Sequence, residues 1–159
     1  MSSTHQFCTF TLHDFTFGIE VQAIQEVILY QAMTPVPLAP PTVKGLINLR
    51  GQIVTAIDLR IRLGLPPRGG DELPMNVIVR MSDGAVSLLV DGIGDVVEVD
   101  SDLYEPPPET LEAAARELVS GVYKLADHLL LILDVAAAVT VESSLHETSA
   151  QPSPLPSPL

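Results

Sequence analysis

Tryptophan is absent, cysteine occurs once, aromatic residues make up only 4% of the 159 positions, and eight Lys and Arg face twenty Asp and Glu. Each shortage excludes something. A formal net charge of −12 repels polyanions, because binding to nucleic acid or anionic lipid is driven by cations that displace counterions from phosphate. Nucleic acid and charged membrane surfaces are therefore not expected partners. The lone Cys8 cannot close an intrachain disulfide and has no companion for a CxxC metal or redox site, so a reducing, cytoplasmic compartment is expected. Residues 1–15 lack the basic, apolar and small-residue segments of an export signal. The most apolar tract, Leu129 to Val141, is interrupted by Asp134 and falls short of the roughly 18 apolar residues a membrane span requires. The expectation is a soluble chain, neither exported nor inserted in a membrane.

Catalytic groupings are equally scarce. No GxSxG motif occurs, and Cys8 sits in an alternating stretch where it reads as a small core side chain. His5, His13, His128 and His146 lack HExxH or HxH spacing. Asp91-Gly-Ile-Gly-Asp95 lacks the alternate oxygen ligands and closing Glu of a calcium loop and reads as a strand-to-turn transition with glycines at positive φ. Gly69-Gly70 lacks the Lys-Ser/Thr that grips phosphate. The acids between Asp91 and Glu117 read as a solvated face rather than an acid/base pair. No catalytic residue, metal site or cofactor is expected; a small hydrolase with a carboxylate site in this acidic half is the enzymatic alternative, and it requires a concave pocket holding acids of raised pKa.

What is present is β pattern. Phe7–Leu12 and Phe15–Ile19 flank His13-Asp14 as a hairpin, and Gln22–Val27 suits at most a short helix or turn. Pro35, Pro37, Pro40 and Pro41 exclude regular structure around them. Strand pattern resumes over Gly45–Leu49 and Gln52–Ile57 around Arg50-Gly51, with Asp58 placed to cap a short helix ending before Gly64. The breaker from Leu65 to Asp71 marks a boundary or long loop. Beyond it Val77–Met81, Val86–Val90 and Asp95–Val99 read as strands, and 106–118 holds a helical turn or two. Leu129–Leu133 reads as a buried strand, with Asp134 capping a short helix from Val135 to Val141. The tail, 142–159, ends in a Pro/Ser-rich run and is expected to be disordered.

An internal repeat organises these elements. Val43–Asp58 lies without a gap over Val119–Asp134, matching Val43/Val119, Gly45/Gly121, Leu49/Leu125 and Asp58/Asp134. A weaker match pairs Asp14–Ile19 with Asp83–Leu88 and Ile24–Val27 with Ile93–Val96. Two copies of one small β module are expected, approximately 6–70 and 75–141. Each is small enough that a single core is marginal, so the two should pack together, with strands possibly exchanged, and leave a groove at their seam.

Arg50, at a hairpin turn between two apolar strands, has two readings: an interface anchor beside an apolar groove, or a brace that fixes the turn by pairing with Glu26 or a carbonyl. Both can hold. Lys44, Arg50, Arg60, Arg62 and Arg68 also gather in one stretch while acids crowd the other half, an asymmetry suited to docking on charged protein surfaces.

Positions 45 to 60, Gly-Leu-Ile-Asn-Leu-Arg-Gly-Gln-Ile-Val followed by Ala-Ile-Asp-Leu-Arg, resemble the hallmark segment of the CheW family of chemotaxis coupling proteins. Phe17-Gly-Ile19, Ile24–Val27, Leu89–Val96, Gly121 and Leu130–Asp134 fall in the same order as in that family, so the resemblance covers roughly residues 6 to 140. It implies a mainly β fold of two packed five-stranded SH3-like β-barrels with short helices, forming one domain over 6–141 without enzymatic activity. It further implies a cytoplasmic adaptor that binds the regulatory domain of the histidine kinase CheA and the cytoplasmic tip of methyl-accepting chemoreceptors, and so is held at membrane-bound receptor arrays through protein contacts. The alternative within the family is a regulator of a kinase in a non-flagellar chemosensory pathway without direct receptor coupling. Position by position, Ile24, Glu26 and Val27 match the family's apolar-acidic segment, and Asn48, Leu49, Arg50 and Gly51 its signature turn; these seven are the expected partner-binding residues. Thr55 stands where the family often has Pro, and the Pro/Ser tail has no family counterpart.

Overall fold

The computed structural model describes residues 3–82 and 84–139. Ten strands carry the fold: β1 (Thr4–Leu12), β2 (Phe15–Glu20), β3 (Ile24–Ile28), β4 (Val43–Leu49), β5 (Gln52–Asp58), β6 (Met75–Met81), β7 (Gly84–Val90), β8 (Gly92–Asp100), β9 (Val119–Lys124) and β10 (Leu129–Leu133). Helix is confined to short pieces, among them α1 (Leu59–Arg62) and α2 (Ala113–Leu118). As the sequence predicts, Asp58 caps α1, its side chain accepting from the Arg60 N–H at 3.0 Å. Asp134 accepts from the Ala137 N–H at 3.1 Å at the start of the helical residues 135–139. The remainder of that helix and the tail lie outside the described residues.

The strands form two five-stranded sheets, ordered β8-β1-β2-β10-β9 and β3-β6-β7-β5-β4. Each takes a hairpin from one half of the chain and three strands from the other. The register repeats as well: Ile24 pairs with Val79 on β6 as Ile93 pairs with Phe10 on β1, and Thr55 pairs with Val86 as Leu131 pairs with Phe17. Both curled sheets are closed in the same way. Thr34 bridges Leu46, with N–H···O distances of 2.8 Å both ways, and Glu105 bridges Val122 at 2.9 and 2.8 Å. This crossing accounts for the matched glycines. A Cβ at Gly45 would lie 2.7 Å from the Thr34 carbonyl oxygen, and one at Gly121 would overlap the Tyr104 ring.

Alternation along the strands sorts the apolar residues. Leu130 and Ile132 face the interior of the first sheet with Phe7, Val99 and Tyr123, whereas Leu131 and Leu133 face the larger core between the sheets. Ile78 likewise joins Ile47, Leu49 and Val54 inside the second sheet, while Val77 and Val79 turn to the shared core. A strand buried on both faces has no polar side to display, which is why 130–133 is continuously apolar and buried.

Three expectations need correction. The segment Gln22–Val27 is not a helix or turn throughout: a 3-10 turn covers Val21–Ala23, and β3 begins at Ile24. Arg80 on β6 donates to the Gln22 and Ile24 carbonyls at 2.9 Å each, so a neighbouring strand sets the conformation. Gly92 and Gly94 are not at positive φ; they belong to β8, where a Cβ at Gly94 would meet Thr9 Oγ1 at 2.5 Å and one at Gly92 would meet Thr11 Oγ1 at 3.1 Å. The glycines serve close approach of β8 to β1, not a turn.

The third correction concerns the basic stretch. Arg60 and Arg68 are buried, binding Asp58 and Asp91 internally. Arg60 clasps Asp91 through Nε and Nη2 at 3.0 and 2.6 Å and donates from Nη1 to the Pro66 carbonyl at 2.6 Å. Arg68 donates to Asp91 at 2.9 Å, to Asp58 at 3.3 Å and to the Leu89 carbonyl at 3.2 Å, and the His13 N–H adds 2.7 Å to Asp91. Burial by itself raises the Asp91 pKa, but the hydrogen bonds from Arg60 and His13 and the charges of both arginines outweigh it and hold the carboxyl below its usual range. Neither arginine is available for docking.

Candidate partner-binding site

The signature segment folds as a two-residue hairpin turn. Arg50 and Gly51 have φ of 53° and 88°, the double positive φ of a type I′ turn whose twist matches the flanking strands. Asn48 Oδ1 accepts the Gly51 N–H at 2.9 Å, an Asx bond that holds the loop. A non-glycine residue at the first position is uncommon, and here it lifts an arginine to the tip of the hairpin.

That arginine meets Glu26. Arg50 Nη2 donates to Glu26 Oε2, and Gln25 Nε2 lies 3.5 Å from the same oxygen. The hydrogen bond from Arg50 is the main cause that lowers the Glu26 pKa, against a smaller opposing contribution from desolvation. Glu26 lies on β3 and Arg50 just past β4, the two edge strands of the second sheet, so the ion pair spans the gap across which that sheet closes. Arg50 is 69% exposed, and a pair so open to solvent contributes little to stability. Its effect is to fix the direction of a charged side chain at the surface.

The seven residues expected to bind partners are not equivalent. Asn48, Arg50 and Gly51 are exposed, and Glu26 is partly exposed. Ile24 and Val27 are half-buried and pack against the core between the sheets, and Leu49 is buried inside the second sheet. Three of the seven therefore hold the site in place more than they display it. Ile53, next to the turn on β5 and 61% exposed, pairs with Asn48 and adds an apolar contact that the sequence reading did not single out.

The expected groove at the seam exists, but these residues do not line it. A cleft of ≈ 640 Å³ is walled by the β1–β2 turn and start of β2 (His13 to Phe17), the end of α1 and its loop (Leu63 to Pro66), Leu111 and Ala115, and Leu129 and Leu131 of β10. The buried arginine network shapes two of its walls, holding Pro66 through Arg60 and His13 through Asp91.

Comparison with known proteins decides what this arrangement is. The family model of the CheW-like domain matches residues 6–143. The chain belongs to the CheW family. It is 30% identical over 137 residues to a chemotaxis protein CheW from Klebsiella aerogenes, covering 86% of this chain and 82% of the relative. It is 31% identical over 135 residues to a chemotaxis protein CheW from Bacillus subtilis, covering 85% and 86%. The crystal structure of the scaffolding protein TtCheW from Thermoanaerobacter tengcongensis superposes with a TM-score of 0.74 at 29% identity, covering 83% of this chain and 90% of that one. The two five-stranded sheets are thus the SH3-like β-barrels of the CheW fold, and the general role follows from membership: a chemotaxis adaptor of the kind that couples chemoreceptors to the kinase CheA.

Proposed function

We propose that residues 6–141 act as one non-enzymatic domain that binds the regulatory domain of a CheA-type histidine kinase and the cytoplasmic tip of methyl-accepting chemoreceptors. The observation that carries the site assignment is the Glu26–Arg50 pair, presented on a type I′ turn between the two edges of the second sheet. The parts of the β3 and β4 edges that lie beyond the Thr34–Leu46 bridge offer backbone groups for strand or end-on contact with the kinase, and the ion pair gives that contact orientation. Ile24, Val27 and Leu49 support it from beneath, while Asn48, Arg50, Gly51 and Glu26 face the partner.

The non-enzymatic reading follows from the family, of which the solved TtCheW is a scaffolding protein; Asp91, clasped by Arg60 and Arg68, has a lowered pKa and does not suit the raised-pKa acid that a hydrolase in the acidic half would use. The protein works by geometry, and its place is the cytoplasmic face of a receptor array. Among the described residues no helix is long and apolar enough to cross a membrane; the proposed kinase and receptor contacts would hold the domain at the array.

The test is a titration of the full chain with the kinase regulatory domain and with a receptor-tip fragment from the same organism, with Arg50→Ala in parallel. Binding to both, weakened about tenfold or more by the substitution, an order expected of an interface anchor, supports the adaptor. Binding to the kinase alone favours a kinase regulator without receptor coupling, and binding to neither rejects the assignment.

A further inference from the structure

The internal repeat makes each half a template for reading the other, and at one position they differ. In the second sheet Asp58 pairs in parallel register with Leu89. Arg68 is inserted there, donating to the Asp58 carboxylate at 3.3 Å and the Leu89 carbonyl at 3.2 Å, with only 9% of its side chain exposed. The repeat places Asp134 where Asp58 stands, and the β2–β10 register, Leu131 to Phe17 and Ile132 to Gly18, carried two residues on, sets Asp134 opposite Glu20. Both residues line a cavity of ≈ 610 Å³, open to solvent, whose walls include His5, Tyr104 and Tyr123; Asp134 Oδ1 also accepts the Ala137 N–H at 3.1 Å.

Among the described residues no Lys or Arg lines this cavity or the smaller one beside it, which shares His5 and Glu20 and adds Glu98. Arg68 comes from the segment that follows the helix capped by Asp58. The corresponding segment after Asp134, residues 135–159, contains neither Lys nor Arg. The first sheet thus repeats one of the two acids that hold Arg68, Asp58, with Gln22 at the position of the other, Asp91, and among the described residues it lacks the guanidinium.

The walls suit the missing group. Tyr104 is 45% exposed and is held by its hydroxyl, which donates to the Ser120 carbonyl, and by a T-shaped packing on Tyr123 at 5.6 Å. A fixed aromatic face beside two carboxylates is the setting in which a planar guanidinium both stacks and forms paired hydrogen bonds. The negative potential is felt by the cavity's own groups: burial, the neighbouring Tyr104 and the charges of Glu20 and Asp100 raise the Tyr123 pKa.

We propose that this cavity is a docking site for an arginine side chain of a partner protein, held by Asp134 and Glu20 against the Tyr104 ring as Arg68 is held by Asp58 in the other half.

The test uses the full chain, with acetyl-arginine-amide as probe and the isosteric, uncharged acetyl-citrulline-amide as control, followed by amide chemical shifts. Shifts that saturate at Glu20, Ala23, Tyr104 and Asp134, with a dissociation constant on the order of 10 mM for so small a fragment, and a citrulline analogue at least roughly tenfold weaker are expected. Asp134→Asn keeps a good helix cap, so the fold persists while the charge is removed; it and Glu20→Gln should each weaken the arginine probe by about fivefold or more, the scale of one charge-assisted hydrogen bond. Equal shifts from both probes, shifts confined to other acidic surfaces, or an affinity unchanged in Asp134→Asn would overturn the proposal.

Discussion

At the residue scale, two ion-pair systems with the same chemistry do different work because their exposure differs. The Glu26–Arg50 pair stands in solvent, so its value lies in direction. Replacing Glu26 by Lys should weaken partner binding without loss of cooperative folding, and adding Arg50→Glu should restore part of the affinity; binding titrations of the two singles and the double measure that coupling. The Asp91 cluster is the converse. Its carboxylate accepts from Arg60, Arg68 and the His13 backbone, and removing it strands two buried arginines, so Asp91→Asn should lose roughly 3 kcal/mol at neutral pH. The sign of the pH dependence follows from the lowered pKa. The stabilisation is fully present above the ordinary carboxylate range and is lost as pH falls through the folded-state value. Urea unfolding of the wild type and Asp91→Asn should therefore differ most at pH 7 and converge in acid. Both basic partners of this cluster were legible in the sequence as charges, yet their burial was not, since Asp91 reaches them only when β7, whose end it follows, is packed against α1.

At the scale of elements, the hairpins and caps were readable because their determinants are local. His13-Asp14, Arg50-Gly51, Asp58 and Asp134 act within a few residues of where they stand. β3 was not readable as a strand, because its partner β6 and the Arg80 side chain that holds its entrance lie some 55 residues away in the chain. The β8 glycines make the same point: their meaning is the proximity of Thr9 and Thr11 on β1. Gly94→Ala should cost about 1–3 kcal/mol through overpacking, measured by thermal or urea unfolding. Thr9→Ala should shrink that cost, although by itself it gives up the 2.6 Å bond from Thr9 Oγ1 to the Asp95 carbonyl.

On the scale of the whole molecule, exchange of strands between halves makes the two sheets mutually dependent. Fragments 1–70 and 71–159 each lack strands of both sheets, so each alone should give the circular dichroism of an unfolded chain, while co-expression should recover a folded complex. The intact protein should unfold in a single transition by calorimetry. A separate transition for each half would mean that each closes its own core. Truncation after Val141 should leave partner affinity unchanged in the same titrations, since all but the first two residues of the tail lie beyond the family match that ends at residue 143.

The β character, the repeat, the two capping aspartates, the turn at Arg50 and the family can all be read from the chain, because they depend on patterns and contacts that are local or internally repeated. Folding settles the rest: which hairpin joins which sheet, that Arg50 meets Glu26 across two sheet edges, that Arg60 and Arg68 are engaged inside, and that Asp134 lines an open cavity. Those outcomes depend on groups far apart in the chain being brought within hydrogen-bond distance, and no spacing along the sequence encodes which distant partner reaches a charge first.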